Sequence, residues 1–317
     1  MKNLSRSEML HLIKYYEQCY FTYDKEIPFK GDLNVYPILV KDYYKFYACV
    51  DCIRMDKNAT IEGVSMSELG YLLHCIENNE DGKTIYSKFI QLIEMVFHIK
   101  SGKICPRCGH LVPFDEINQK LLELSSIQDE RIREKFLKKY VNQVSYCEKC
   151  AGDNVSIETE DSIRYETSPS KKLIINNVEL DKNDYNLLKN IILYYNIPDY
   201  DDEYIDPELK KELEEVARLK NPNQVQPSLE KQMSCIISAT GAYTYESMQD
   251  LSIRKLVLLL RTIDARLHYF AYRQGELSGM VKFNKEIDHW IYSPEKKNKF
   301  EDLMTLDALK DKLKDVT

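Results

Sequence analysis

Apolar residues recur at helical spacing through most of the chain. Residues 3–20 place Met9, Ile13 and Tyr16 on one face, which predicts an amphipathic helix. The stretch "GDLNVYPILVKDYYKFYACVDCIRMDKNA" predicts a short extended piece around Tyr36-Pro37, because the residue before a proline avoids helical dihedrals. A helix then starts near Lys41 and brings Tyr43, Phe46, Tyr47, Val50 and Ile53 to one side. Ser65 and Glu68 match a capping box, in which hydroxyl and carboxylate satisfy free backbone N–H groups. From Thr84 to Ile99 the inward positions are Phe89, Ile90, Ile93, Val96 and Phe97, so this first unit is mostly α.

The pattern changes near Lys103. Between 114 and 143 it is charged and helical, with room for two short helices. "SIETEDSIRYETSPSKK" mixes alternation with loop character, and "LIINNVEL" predicts two short strands around an Asn-Asn turn. "DYNLLKNIILYYNIPD" predicts a helix that ends before Pro198. Asp206 and Pro207 carry the start signals of another helix, and 219–227 is a linker candidate. Beyond Ser228, a cap candidate, three helical stretches follow at 229–239, 246–250 and 253–273. The long one carries Ile253, Leu256, Val257, Leu260, Ile263, Leu267 and Phe270, and the final "DALKDKLKD" predicts a polar helix. No fixed-period repeat is visible.

With 317 residues the chain is long enough for two or three compact units. Its net charge of -7 argues against binding nucleic acid through the overall field, leaving only a local basic patch for that role. The 23 tyrosines suit packed protein interfaces, but they also fit an AT-rich coding sequence. No apolar run approaches the roughly 20 residues a bilayer span requires, and the N-terminus lacks a signal-peptide segment. The expectation is a soluble protein of a reducing cytoplasm, whose nine cysteines are free thiols or metal ligands and do not form disulfides.

The strongest chemical signal lies in two Cys-x-x-Cys pairs, "CPRCGH" and "CEKC", which contain Cys105, Cys108, Cys147 and Cys150. Two residues between paired cysteines let a tight turn present both sulfurs to one ion, and four thiolates complete a tetrahedral structural zinc site. Pro106 and Gly109 supply turn chemistry in the first pair. One structural Zn2+ per chain is therefore expected, with 103–153 as a zinc module stapled by it. The alternatives are free thiols on two unrelated turns and a redox dithiol, although redox chemistry does not require a second pair. His110 could replace a ligand but need not.

A third pair, Cys49 and Cys52, sits inside an apolar-periodic helix without a glycine turn, so core packing is expected of it. Cys19, Cys75 and Cys235 sit in amphipathic helices and receive the same reading. "SLEK" at 228–231 lacks the companion motifs of a serine hydrolase of that type. "DGKTI" has Glu77 where a phosphate loop needs its first glycine. "DYDDEYID" fails as a calcium loop, with Tyr204 at the glycine position. Trp290, the only tryptophan, is either a core filler or a partner-facing anchor. No catalytic residue can be named.

"YPILVKDYYKFYACVDCIRMDKN" and "PSLEKQMSCIISATGAYTYESMQDLSIRKLVLLLRTIDARLHYFAYRQGELSGMVKF…EIDHWI" resemble bacteriophage proteins encoded among tail genes. Those are tail-tip or baseplate-hub components, or factors that assemble them. The resemblance covers 33–80 and 227–292. It implies no catalytic residues, a location in the virion tail or the host cytoplasm during assembly, and other tail proteins as partners in a symmetric ring. It also suggests that the helical regions near 30–100 and 228–292 pack together.

The expected fold is α+β and mainly α, with helical domains and an inserted zinc-ribbon-like module. The divisions fall at 1–102, 103–153, 154–226 and 227–317. The expected function is a non-enzymatic tail structural or assembly protein. The alternative is a zinc-ribbon protein that binds nucleic acid through Arg107, Lys149 and "RIREKFLKKY", a basic stretch diluted by Asp129, Glu130 and Glu134.

Overall fold

A computed structural model describes residues 5–105, 107–125, 127, 129–143, 147, 150, 160–167, 170–200, 227–279, 287 and 289–291. The expected helix after Asp206, most of the 219–227 linker and the polar helix at 307–315 lie outside these residues. The described architecture is mainly α with small antiparallel sheets, as the apolar pattern implied.

Helix α1 (Arg6–Cys19) opens on a Ser5/Glu8 capping box and buries Met9 and Ile13. A hairpin of β1 (Ile27–Lys30) and β2 (Leu33–Val35) follows. The sequence reading missed it, because four residues broken by Pro28 show no clear alternation. Helix α2 (Tyr43–Cys49) is shorter than its apolar spacing predicts. It gives way to a 3-10 turn at Val50–Cys52, which still buries Val50 and Cys52.

Helices α3 (Ile61–Val64), α4 (Glu68–Asn78) and α5 (Gly82–Phe97) complete the first half. The expected Ser65/Glu68 capping box does not form. Ser67 caps α4, its hydroxyl accepting from the N–H of Gly70, while the Ser65 hydroxyl donates back to the carbonyl of Glu62. Two serines two residues apart offer the same local signal, and the short α3 consumes the first.

Strands β3 (Gly102–Ile104), β4 (Leu111–Pro113) and β5 (Glu160–Asp161) form one sheet in the order β4-β3-β5. Helices α6 (Phe114–Ser125) and α7 (Glu130–Gln143) occupy the span between the cysteine pairs. A second sheet joins β6 (Ile163–Glu166), β7 (Lys172–Ile175) and β8 (Val178–Leu180). Its β7–β8 turn is Asn176-Asn177, both at positive φ, which asparagine tolerates better than most residues. Helix α8 (Lys182–Asn196) starts at an Asp181/Asp184 capping box.

One apolar core joins α1, β1, β2, α2, α4 and α5 to β6–β8 and α8. Phe21 stacks on Tyr195 with ring centroids 4.3 Å apart, and the Tyr195 hydroxyl donates to the Lys25 carbonyl. Lys30 pairs with the fully buried Asp184 at 2.5 Å. The described part of the expected 154–226 connecting region shares this core. Its strands and helix bury their apolar faces against the first hundred residues, a long-range pairing that local pattern does not report.

Helices α9 (Leu229–Thr240), α10 (Tyr245–Gln249) and α11 (Ile253–Leu277) carry a second cluster of Met233, Ile236, Met248 and Leu256, closed by Val40. Backbone bonds fix the junction: the N–H of Val40 donates to Leu251 and that of Ile253 to Ile38, around a Leu39–Ser252 bridge. The buried Arg254 donates to the Tyr194 carbonyl and pairs with Glu17. Among the described residues, no helix is long and apolar enough to cross a membrane.

Candidate metal centre

The hairpin β3–β4 pairs Ile104 with Leu111 and so presents residues 105–110 as its loop. Within that loop the N–H of Cys105 donates to the His110 carbonyl, and that of Gly109 to the Cys105 carbonyl, both at 2.9 Å. Gly109 stands at φ +69, a left-handed conformation that glycine adopts without strain. His110 thus contributes its backbone to the turn, and it is not among the clustered ligand atoms. On the opposite side Cys150 donates its N–H to the Cys147 carbonyl at 3.0 Å.

The four sulfurs of Cys105, Cys108, Cys147 and Cys150 all lie within 4.8 Å of one another, and Cys108 and Cys147 are 3.5 Å apart. A zinc ion bound tetrahedrally at about 2.3 Å to each sulfur would separate them by about 3.8 Å. The donor set therefore fits a thiophilic ion with only small adjustment. Cys105 and Cys147 are buried, Cys150 is half-buried and Cys108 is exposed.

The thiols do not titrate alike. Burial alone would raise Cys105, but backbone N–H groups of Cys108 and Arg107 point at its sulfur and bring it down to about 7. Burial and hydrogen bonds to Cys108 and Cys105 raise Cys147. A hydrogen bond to Cys108, then burial, holds Cys150 up at about 12. The surroundings thus favour the thiolate at Cys105 and the thiol at Cys147 and Cys150. A cation held between the sulfurs would deprotonate the thiols that ligate it.

The sheet that carries this loop is bolted to the core by Ser162, which is 1% exposed. Its hydroxyl accepts from the N–H of Gly102 at 3.0 Å and donates to the Lys100 carbonyl at 3.1 Å. Its N–H donates to the Gly102 carbonyl, and its own carbonyl accepts from Asn176 of the second sheet. A side chain at Gly102 would lie 2.3 Å from the Val112 carbonyl oxygen, so only glycine lets β3 and β4 close. Nothing in the sequence singled out Ser162, because the partners of its hydroxyl, Gly102 and Lys100, lie 60 and 62 residues upstream.

The remaining candidates separate clearly. Cys49 and Cys52 are buried at 2% and 4% exposure, and burial pushes the Cys52 thiol up to about 12. Neither joins a metal-capable cluster among the described residues, as expected of core thiols. Cys75 is buried and Cys19 half-buried, but Cys235 is exposed, contrary to the core reading. It sits on the outer side of α9, where Met233 and Ile236 turn inward. Lys83 and Thr84 of the rejected phosphate loop line a shallow surface cavity of about 430 Å³ above Cys49 and Gln91. Trp290 is half-buried beside His289, whose ring meets Tyr269 of α11 at 5.0 Å.

Fold and site together define a mainly α protein with a four-cysteine cluster able to hold a metal ion. No protein-family model, curated protein or solved structure matches the chain.

Proposed function

We propose that this chain is a non-enzymatic bacteriophage tail protein, a baseplate or hub component or an assembly factor, stapled by one structural zinc and working by protein docking. The observation that carries the staple reading is the convergence of four thiol ligands on one point. Four protein ligands fill a tetrahedral zinc and leave no position for water or substrate, whereas a catalytic zinc keeps one open. The tail assignment rests on the resemblance of 33–80 and 227–292, and its partners are other tail proteins in a ring.

Two measurements test this. Elemental analysis of purified protein should give about one zinc per chain. Cys105→Ser should lower that content and destabilise 103–153 first, while Cys49→Ala and Cys52→Ala leave it unchanged. Metal-free protein with a stable fold would sink the staple. Mass spectrometry should find the chain in virions or tail intermediates of its source phage, and absence from both would remove the tail reading.

A second reading draws on α7, whose Arg131, Lys135, Lys138 and Lys139 are exposed. A zinc-stapled nucleic-acid binder would use such a face for phosphates. Fluorescence anisotropy with labelled DNA at two salt concentrations decides it, since phosphate contacts weaken steeply with salt.

A further inference from the structure

Helix α11 has 25 residues, about 37 Å at 1.5 Å per residue, and among the described residues its apolar row is buried over the first part alone. Ile253 and Leu256 are fully buried, and Leu260 and Ile263 are half-buried against the second cluster. The same row then continues outward through Leu267, Phe270, Gln274 and Leu277. Leu267 is 61% exposed, Phe270 49% and Leu277 79%.

The spacing of this row is informative. From Ile253 to Leu277 the steps alternate three and four without a break, which is a 3.5-residue period. A helix that merely lies on a globular body uses a broader stripe with a 3.6-residue period, while a strict three-four seam is what a second helix reads. One polar position, Gln274, interrupts the seam. Among the described residues, nothing covers its outer half. The returning segment at 289–291 meets Tyr269, which lies on another side of the helix.

The flanks indicate what the second helix carries. Arg266 and Arg273 stand seven residues apart, each one position before a seam residue, and so line the same edge. Arg266 lies over the Phe270 ring at 5.7 Å, and Arg273 pairs within the helix with Glu276. In a parallel pair of copies this edge would face Ala271 and Ser278, which offer no charge. In an antiparallel pair the arginine edges would face each other. An acidic helix satisfies both arginines, whose guanidinium groups have donors to spare.

We propose that the outer half of α11 is one strand of a short coiled coil, completed by a helix of another protein with apolar seam positions and acidic flanks. This deepens the docking reading by giving the partner's chemistry, and it rests on that reading. The probe is a labelled synthetic peptide of four heptads with Leu at both seam positions and Glu at both flanking positions. A sister peptide carries Lys in place of Glu. Titrated against the full zinc-loaded chain, the acidic peptide should give saturable anisotropy, and the lysine peptide should bind at least tenfold more weakly. Leu267→Asp and Phe270→Ser should each weaken acidic binding at least tenfold while leaving circular dichroism and melting unchanged, because both side chains lie outside the core.

Absence of acidic binding, equal affinity for both peptides, or indifference to the substitutions would each overturn the proposal. So would a dimer in sedimentation that Leu267→Asp dissolves, which would make the occupant a second copy. None of these outcomes touches zinc content or presence in virions, so the broader reading stands or falls separately.

Discussion

Ser162 uses every polar group it has, and each links one sheet to another segment. Its replacement by alanine strands the buried N–H of Gly102, at a cost of about 1–3 kcal/mol. Denaturant unfolding of Ser162→Ala should show that loss, with the β4-β3-β5 sheet exchanging its amide protons sooner than α5. An unchanged midpoint would mean that water replaces the hydroxyl. The contrast with the cysteines explains what a chain of letters discloses. Cys105 and Cys108 announce themselves because their geometry is local, two residues and a glycine turn. Ser162 is silent because its meaning lies in Gly102 and Asn176, which reach it only through folding. Cys235 misled because an amphipathic helix places small residues on either side, and its neighbours Met233 and Ile236 took the inner one.

Among the elements, those with long apolar periods or a marked turn were legible. Helices α5, α8 and α11 hold their apolar faces over several turns, and the Asn176-Asn177 turn declares a hairpin by its tolerance of positive φ. Strands β1 to β5 were not legible, since two to four residues are too few for alternation to register. The start of α4 shows the same limit in small. A hydroxyl at Ser65 or Ser67 satisfies the same local rule, and only the wrapping of α3 decides between them. Ser67→Ala should cost about 1 kcal/mol through the lost cap on Gly70. Ser65→Ala, whose hydroxyl is exposed and bonds only to Glu62, should fall within about 0.5 kcal/mol of the parent. Paired thermal melts check the order, and equal losses would contradict the cap assignment.

Across the whole molecule, the mainly α class was legible from periodicity, but the sharing of one core by residues before 100 and after 160 was not. That sharing has a further implication for the metal region. Strands β3 and β5 are antiparallel neighbours, with Ile104 directly opposite Glu160. The two chain ends that flank 105–159 therefore lie side by side in one sheet. A two-residue hairpin turn such as Asn-Gly is enough to join those two positions. Replacing 105–159 with it should abolish metal binding yet keep a cooperative melt and the helical dichroism of the remaining body. Collapse of the shortened chain would show the body depends on the insert. A shortened chain that folds would make the region, in genetic terms, a cassette that one in-frame event could add or remove without redesign of the rest of the fold.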